Sequence, residues 1–337
     1  VQGPLWTPGG ERGLYKTTNG GTSWKRVLGN DQWTGVTDIM IDPRNPQILY
    51  AATWDRHRTV AALMGGGPGT ALYRSDDGGE NWTKLTEGLP ESNMGKIGIT
   101  ISPQNPDVVY AAIELDRKSG AVYRSSNRGA SWTKMSDTVS GGTGPHYYQE
   151  LYASPHEFDR LYLMNVRVLT SGDGGKTFVQ LKERDKHSDN HAIVFKKDDP
   201  NYIMLGTDAG IYETFDNAET WRYIKNLPLT QFYKVAVNNA EPFYHIFGGT
   251  QDNGSAGGPS ATDEREGIAN KHWYKTLFAD GHQSATDPVY NDIIYAETQQ
   301  GGLYRIDLTT GEQVSVQPKA GLGESHERFN WDAPILV

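Results

Sequence analysis

Short apolar runs alternate with polar turns along the whole chain, and no long stretch carries the three-to-four spacing of an amphipathic helix. Runs such as "IMIDPRNPQILYAAT", "ITISPQNPDVVYAAI", "LYASPHEFDRLYLMN", "VFKKDDPNYIMLGT", "VAVNNAEPFYHIFGG" and "ATDPVYNDIIYAET" each read as strand, Pro/Asn turn, strand. A second repeat interleaves with the first: "YKTTNGGTSW", "YRSDDGGENW", "YRSSNRGASW", "LTSGDGGKTF" and "YETFDNAETW". Its turns begin at Thr17, Ser75, Ser125, Ser171 and Thr214, at spacings of 58, 50, 46 and 43 residues. Together the two repeats predict an all-β chain of four-stranded antiparallel units of roughly 45 residues, the size of one propeller blade. A β-helix needs much shorter units.

Six units follow an incomplete one. Residues 1–28 supply only the later strands of a blade, and residues 327–337 read as the first strand of another. Either these pieces complete one another in a ring of about seven blades, or both belong to a longer or tandem propeller. Residues 1–337 are expected to form a single propeller domain.

The second repeat has the form Ser/Thr-x-Asp/Asn-x-Gly-x-Ser/Thr-Trp/Phe. Its third position, filled by Asn19, Asp77, Asn127, Asp173 and Asp216, is suited to accept backbone N–H bonds from the residues that follow. Its glycine supplies a positive φ. The closing ring (Trp24, Trp82, Trp132, Phe178 or Trp221) is expected to pack between neighbouring units. A turn written five times is a structural element, since catalysis does not need five copies of one aspartate. It weakens along the chain: Arg128 and Ala218 stand where other copies have glycine, and the last unit has no copy.

This pattern resembles the Asp-box, or BNR-repeat, propellers grouped with sialidases, xyloglucan-cleaving glycoside hydrolases and sortilin-type receptors, and above all bacterial secreted proteins of sortilin-like or glycosyl-hydrolase-like type. The resemblance covers essentially the whole chain and implies the fold more strongly than an activity. A sialidase would need an arginine triad, and Arg12, Arg56, Arg58 and Arg167 fall in no such pattern. The cysteine-rich module that follows a sortilin-type propeller is absent from this chain.

Composition narrows the function. Zero cysteines exclude disulfides and thiolate chemistry. A net charge of −9 argues against a nucleic-acid partner. No apolar run is long enough to span a membrane as a helix. The expected setting is secreted, periplasmic or associated with the outer membrane of a bacterium. Expected partners are envelope or extracellular proteins, or glycans, and no cofactor is implied.

Candidate chemistry gathers where loops lead into the innermost strands: "GPHYYQELY", "HSDNHAIVF", "TQFYKVAV", "DGHQSATD" and "NWDAPILV". In register, these place His146, Tyr148, Asp189, His191, Gln231, Tyr233, Asp280, His282 and Asp332 at corresponding positions near one axis. Two long loops add Trp54, Asp55, Arg56, His57 and Arg58, and Gln251, Asp252 and Asn253. Three readings stand. The first is a polar channel filled by mutually bonded side chains and water. The second is acid/base chemistry on a glycosidic bond, with Asp55, Asp189, Asp252 and Asp280 as carboxylate candidates. The third is a metal site using His187, His191 and His282, whose spacing matches no strong metal signature. The leading expectation is a binding or scaffold module, with a glycoside hydrolase as the alternative.

Overall fold

The computed structural model describes residues 1–29, 31–116, 119–141, 146–227 and 229–337. Gly144 and Pro145, which open the lead-in "GPHYYQELY", lie outside the described residues. The chain is all-β, and its described residues form six four-stranded antiparallel sheets, five of them from strands consecutive in sequence and the first with the short strands His57–Arg58, Leu63–Met64 and Gly66–Gly67 inserted before its third strand. Among the described residues no helix is long and apolar enough to cross a membrane. Residues divide into two compact units, Val1–Ile224 and Lys225–Val337.

The first unit opens with a two-stranded sheet, Leu14–Lys16 and Lys25–Leu28. Four four-stranded sheets follow, with inner strands Thr34–Ile41, Ile97–Ile101, Leu151–Ala153 and Asn190–Lys196. The second unit holds the remaining two, with inner strands Lys234–Val237 and Gly281–Thr286.

The strand Val109–Asp116 illustrates why sheets stack side by side. Its six leading residues are all buried, as a strand covered on both faces requires. Val109, Ala111 and Ile113 pack in one cluster with Ile48, Tyr50 and Leu72 of the first sheet. Tyr110 and Ala112 point the other way, into a cluster with Leu151, Leu161 and Leu163 of the third. The third sheet repeats the alternation, because Tyr162 and Met164 turn toward Ile193, Ile203 and Leu205 of the fourth. In the second unit Phe247 and Leu277 pack with Ile294, Ala296 and Ile306. Each fully buried aliphatic side chain contributes about 1.5–3 kcal/mol.

Hydrogen bonds between inner strands fix the spacing of the stacked sheets. Asp38 accepts the Ile99 N–H at 3.0 Å, and Thr100 accepts the Ala153 N–H at 3.1 Å. In the second unit the Thr286 hydroxyl donates to the Val237 carbonyl at 2.8 Å. Burial pushes the Asp38 carboxyl up to about 6.

The five repeated turns share one bonding pattern. The opening hydroxyl donates to the Asp or Asn two residues on, at 3.0 Å in Thr17–Asn19, 2.8 Å in Ser75–Asp77, Ser125–Asn127 and Ser171–Asp173, and 2.7 Å in Thr214–Asp216. That side chain then accepts the N–H four residues further on, from Ser23, Asn81, Ser131, Thr177 or Thr220, at 2.9–3.0 Å. The Thr177 and Thr220 hydroxyls, together with these N–H donors, hold the Asp173 and Asp216 carboxyls at about 2, and the Asn81 N–H and side-chain amide hold Asp77 below the usual range. A carboxylate so depressed favours the fold above the ordinary aspartate range of about 4, and the gain fades as pH falls toward 2.

The closing rings differ in burial. Trp132 is buried and donates its N–H to the Gly129 carbonyl at 3.2 Å, while the Trp221 ring N–H reaches the Lys182 carbonyl of the preceding sheet at 2.9 Å. Trp24, expected to pack between units of the repeat, is 60% exposed. It stands immediately before the second strand of the two-stranded sheet.

Backbone sterics at these turns give a direct test. Gly175 has φ 90°, and a Cβ there would stand 2.8 Å from Val122 Cγ1. Gly20 has φ 68° with open space around it. Gly175→Ala is expected to destabilise by about 2–3 kcal/mol in denaturant unfolding, and Gly20→Ala by only about 1 kcal/mol. Equal costs would contradict close packing at Gly175.

Candidate functional site

In the first unit the second strand of the first sheet, Leu49–Asp55, ends in Trp54 and Asp55 and runs into Arg56. Trp54 is buried, and its ring N–H donates to the Gly65 carbonyl at 2.7 Å. That bond ties the long loop back onto the strand. The Arg56 guanidinium lies 4.6 Å from the Trp54 ring. Asp55 accepts the Gly69 N–H at 3.4 Å and stands 3.9 Å from His57. The loop folds into a small hairpin pairing His57–Arg58 with Leu63–Met64.

Rings continue this group toward the fourth sheet. His146 and Tyr147 are 4.3 Å apart between centroids, and Tyr147 and Tyr148 are 6.4 Å apart. Tyr148 is buried and stacks on His191 at 5.3 Å with an 18° interplanar angle. Its hydroxyl donates to Asp189, whose other oxygen accepts the Ser188 hydroxyl. The His191 Nε2 sits 2.8 Å from Asp208. The structure thus brings Tyr148, Asp189 and His191 together, with His146 one ring away. Tyr147, next to Tyr148 and 56% exposed, presents the open face of the row.

His187 turns its Nδ1 to the Ser188 carbonyl at 2.9 Å. Beneath it, Lys186 and Glu183 form an ion pair of 2.7 Å with both side chains almost wholly inaccessible. The Lys186 ammonium also donates to Asn190 at 2.5 Å and to the His187 carbonyl at 2.7 Å, so the buried charge is fully engaged. Burial nevertheless pulls the Lys186 ammonium below its ordinary range. This pair fixes the loop that carries Asp189, and the sequence reading did not single it out.

The second unit builds its own group. Tyr233 stacks on His282 at 4.9 Å with a 9° angle, and its hydroxyl donates to Gln251. Trp331 stands edge-on to His282 at 6.3 Å. Asp280 accepts the Asp252 N–H at 3.1 Å, and the Asn253 side chain donates to the Gln251 carbonyl at 3.4 Å. Asp332 pairs with Lys234 at 3.0 Å, while Gln231 is exposed. Glu297 and Gln283 join this group without having been predicted. Glu297 is fully buried, accepts the Ala333 N–H at 2.6 Å, and is raised by burial. Gln283 donates to the Ile335 carbonyl at 2.8 Å. A glutamate closing the apolar run "IIYAET" was the available sign of Glu297. Among the described residues no group of three His, Cys, Asp or Glu side chains is placed to hold a metal ion.

Comparison with known proteins finds distant likenesses. An oligoxyloglucan-reducing end-specific xyloglucanase from Emericella nidulans is 23% identical over 222 residues, covering 61% of this chain and 26% of the relative. The chain therefore spans about a quarter of the length of that curated relative. Among solved structures, a GH74 xyloglucanase from Xanthomonas campestris is similar with a TM-score of 0.44 and 19% identity, covering 85% of this chain and 45% of that one. PorZ, a bacterial surface component of the type-IX secretion system of Porphyromonas gingivalis, gives a TM-score of 0.49 and 13% identity over 92% of this chain and 38% of that one. No family model matches the chain.

The imidazole of His282 is 1% exposed, and burial pulls it below its ordinary range. The unfolded chain then binds a proton more readily than the folded one, so this group lowers stability as pH falls below about 6.5. Proton NMR should find His282 still neutral at a pH where exposed histidines are half charged, and His282→Gln should flatten the acid side of the stability curve. An imidazolium at pH 7 would contradict this environment.

Proposed function

We propose that the chain is a β-propeller of about seven blades that acts outside the cytoplasm as a glycan-binding module. Six four-stranded antiparallel sheets following one another along the chain, together with the two-stranded piece and the register of the repeated turns, support the propeller reading. The observation that carries the binding reading is the row of rings in the first unit. The Tyr147 face and the exposed edge of His191 are open to solvent, while buried Tyr148 fixes the ring beside each. Rings held at such spacing stack on the apolar faces of sugars, and neighbouring carboxylates and amides accept hydroxyl hydrogens. Association with envelope or extracellular proteins fits the same exposed loops.

A glycoside hydrolase is the second reading, and the similarity to a xyloglucanase over 222 residues favours it. The bonding of the candidate carboxylates speaks for binding instead. Asp189 has both oxygens engaged by hydroxyls, and Asp280 accepts the backbone N–H of Asp252 from the preceding sheet's loop.

Calorimetric titration with neutral xyloglucan and cello-oligosaccharides tests the proposal. Binding is expected without release of new reducing ends, and Tyr147→Ala should weaken it about tenfold, the loss of one stacking platform. Turnover that disappears in Asp189→Asn would move the assignment to hydrolase. Absence of affinity for every saccharide would overturn the glycan reading.

A further inference from the structure

Among the described residues, two arginines at one end of the ring row have no counter-ion. Several arginines elsewhere in the first unit are matched: Arg44 bonds Asp42 and Asp107, Arg124 bonds Asp159, and Arg222 bonds Glu213. Arg160 also lacks an ion pair among the described residues and lies over the Tyr162 ring, but it stands alone, whereas Arg56 and Arg58 are two on one loop. Arg12 is occupied by backbone carbonyls, among them those of Gly9 at 3.0 Å and Trp33 at 3.2 Å. Arg56 and Arg58, by contrast, enter no side-chain hydrogen bond and no ion pair among the described residues. Each instead lies on an indole, Arg56 on Trp54 at 4.6 Å and Arg58 on Trp6 at 5.2 Å. The Arg56 Nε is buried and lacks a partner among the described residues. The adjacent carboxylate, Asp55, is turned to Gly69 and His57.

This arrangement is electrostatically costly. Burial, with the like charge of Arg58, works against the Arg56 cation, and Tyr147 is close enough to act on it electrostatically. A guanidinium keeps its charge under such pressure, so an anion arriving from outside is what relieves it. Indole stacking has already fixed both side chains, which lowers the entropy lost when a ligand binds.

We propose that Arg56 and Arg58 hold the carboxylate of an acidic sugar, so that the preferred ligand of this site is a polysaccharide containing uronic acid. The proposal rests on the glycan reading and names its substrate class. Guanidinium forks match a planar carboxylate through paired N–H bonds, and Tyr147 beside them supplies the surface for the sugar ring that bears it. The chain as a whole is acidic, with a net charge of −9, so the adjacent pair Arg56 and Arg58 is a local concentration of positive charge.

Titration of the full chain with a uronate oligosaccharide, a neutral oligosaccharide of equal length and a poly-glutamate peptide separates the outcomes. The uronate is expected to bind about tenfold or more tighter than the neutral sugar at low ionic strength, with the advantage shrinking as salt rises. The ratio should fall to about one in the double variant Arg56→Gln, Arg58→Gln, and partway in the exposed single variant Arg58→Gln. Equal affinity for uronate and neutral sugar would overturn the carboxylate site and leave the glycan reading standing. Peptide binding as tight as uronate binding would overturn the choice of an acidic sugar. Failure of every saccharide would remove both readings.

Discussion

A four-stranded sheet that is apolar on both faces must be covered on both faces, and the rest of this structure follows from that requirement. The strand Val109–Asp116 sends odd-numbered side chains to one neighbouring sheet and even-numbered ones to the other. A slip of one residue would exchange the two sets, so register is fixed wherever both neighbours are present. Once the sheets stand face to face, a side chain on one inner strand comes within reach of the backbone of the next. Asp38 and Thr100 use that proximity in successive sheets.

The repeated turn serves the same requirement at the edge of each sheet. Its hydroxyl and its Asp or Asn satisfy the turn's own N–H groups, and the ring that follows reaches toward a neighbour. Trp132 packs among residues of the first sheet and Trp221 bonds the Lys182 carbonyl, whereas Trp24 is exposed. Because the turn is self-sufficient in hydrogen bonds, the loops outside it are free to carry different chemistry. The first unit spends them on Arg56, Tyr147 and His191, and the second on Tyr233, Gln251 and His282.

Strand repetition and turn bonding were legible because both are local. Ser75, Asp77 and Asn81 meet within seven consecutive residues, and spacing alone brings them together. The lead-ins to inner strands stood out as polar segments before apolar runs, which drew notice to Tyr148, Asp189, His191 and His282. Their bonding was not legible. The Tyr148–Asp189 bond joins residues 41 apart, and the sealed Lys186–Glu183 pair looks in sequence like an ordinary solvated charge run. Glu297 was hidden inside a strand that reads as core. That Arg56 lacks a carboxylate depends on where Asp55 turns, which spacing does not encode.

The central claim is a division of labour, in which repeated turns hold the sheets and the row of rings receives the ligand. Hydrogen exchange of backbone amides, measured with and without a saturating oligosaccharide, tests it most directly. The account predicts that Asn81, Ser131, Thr177 and Thr220, whose N–H groups are bonded within their turns, keep the same protection in both states. Amides around Arg56, Tyr147 and His191 should slow markedly when the saccharide is bound. Ligand-dependent protection at the turns, with none along the ring row, would contradict it.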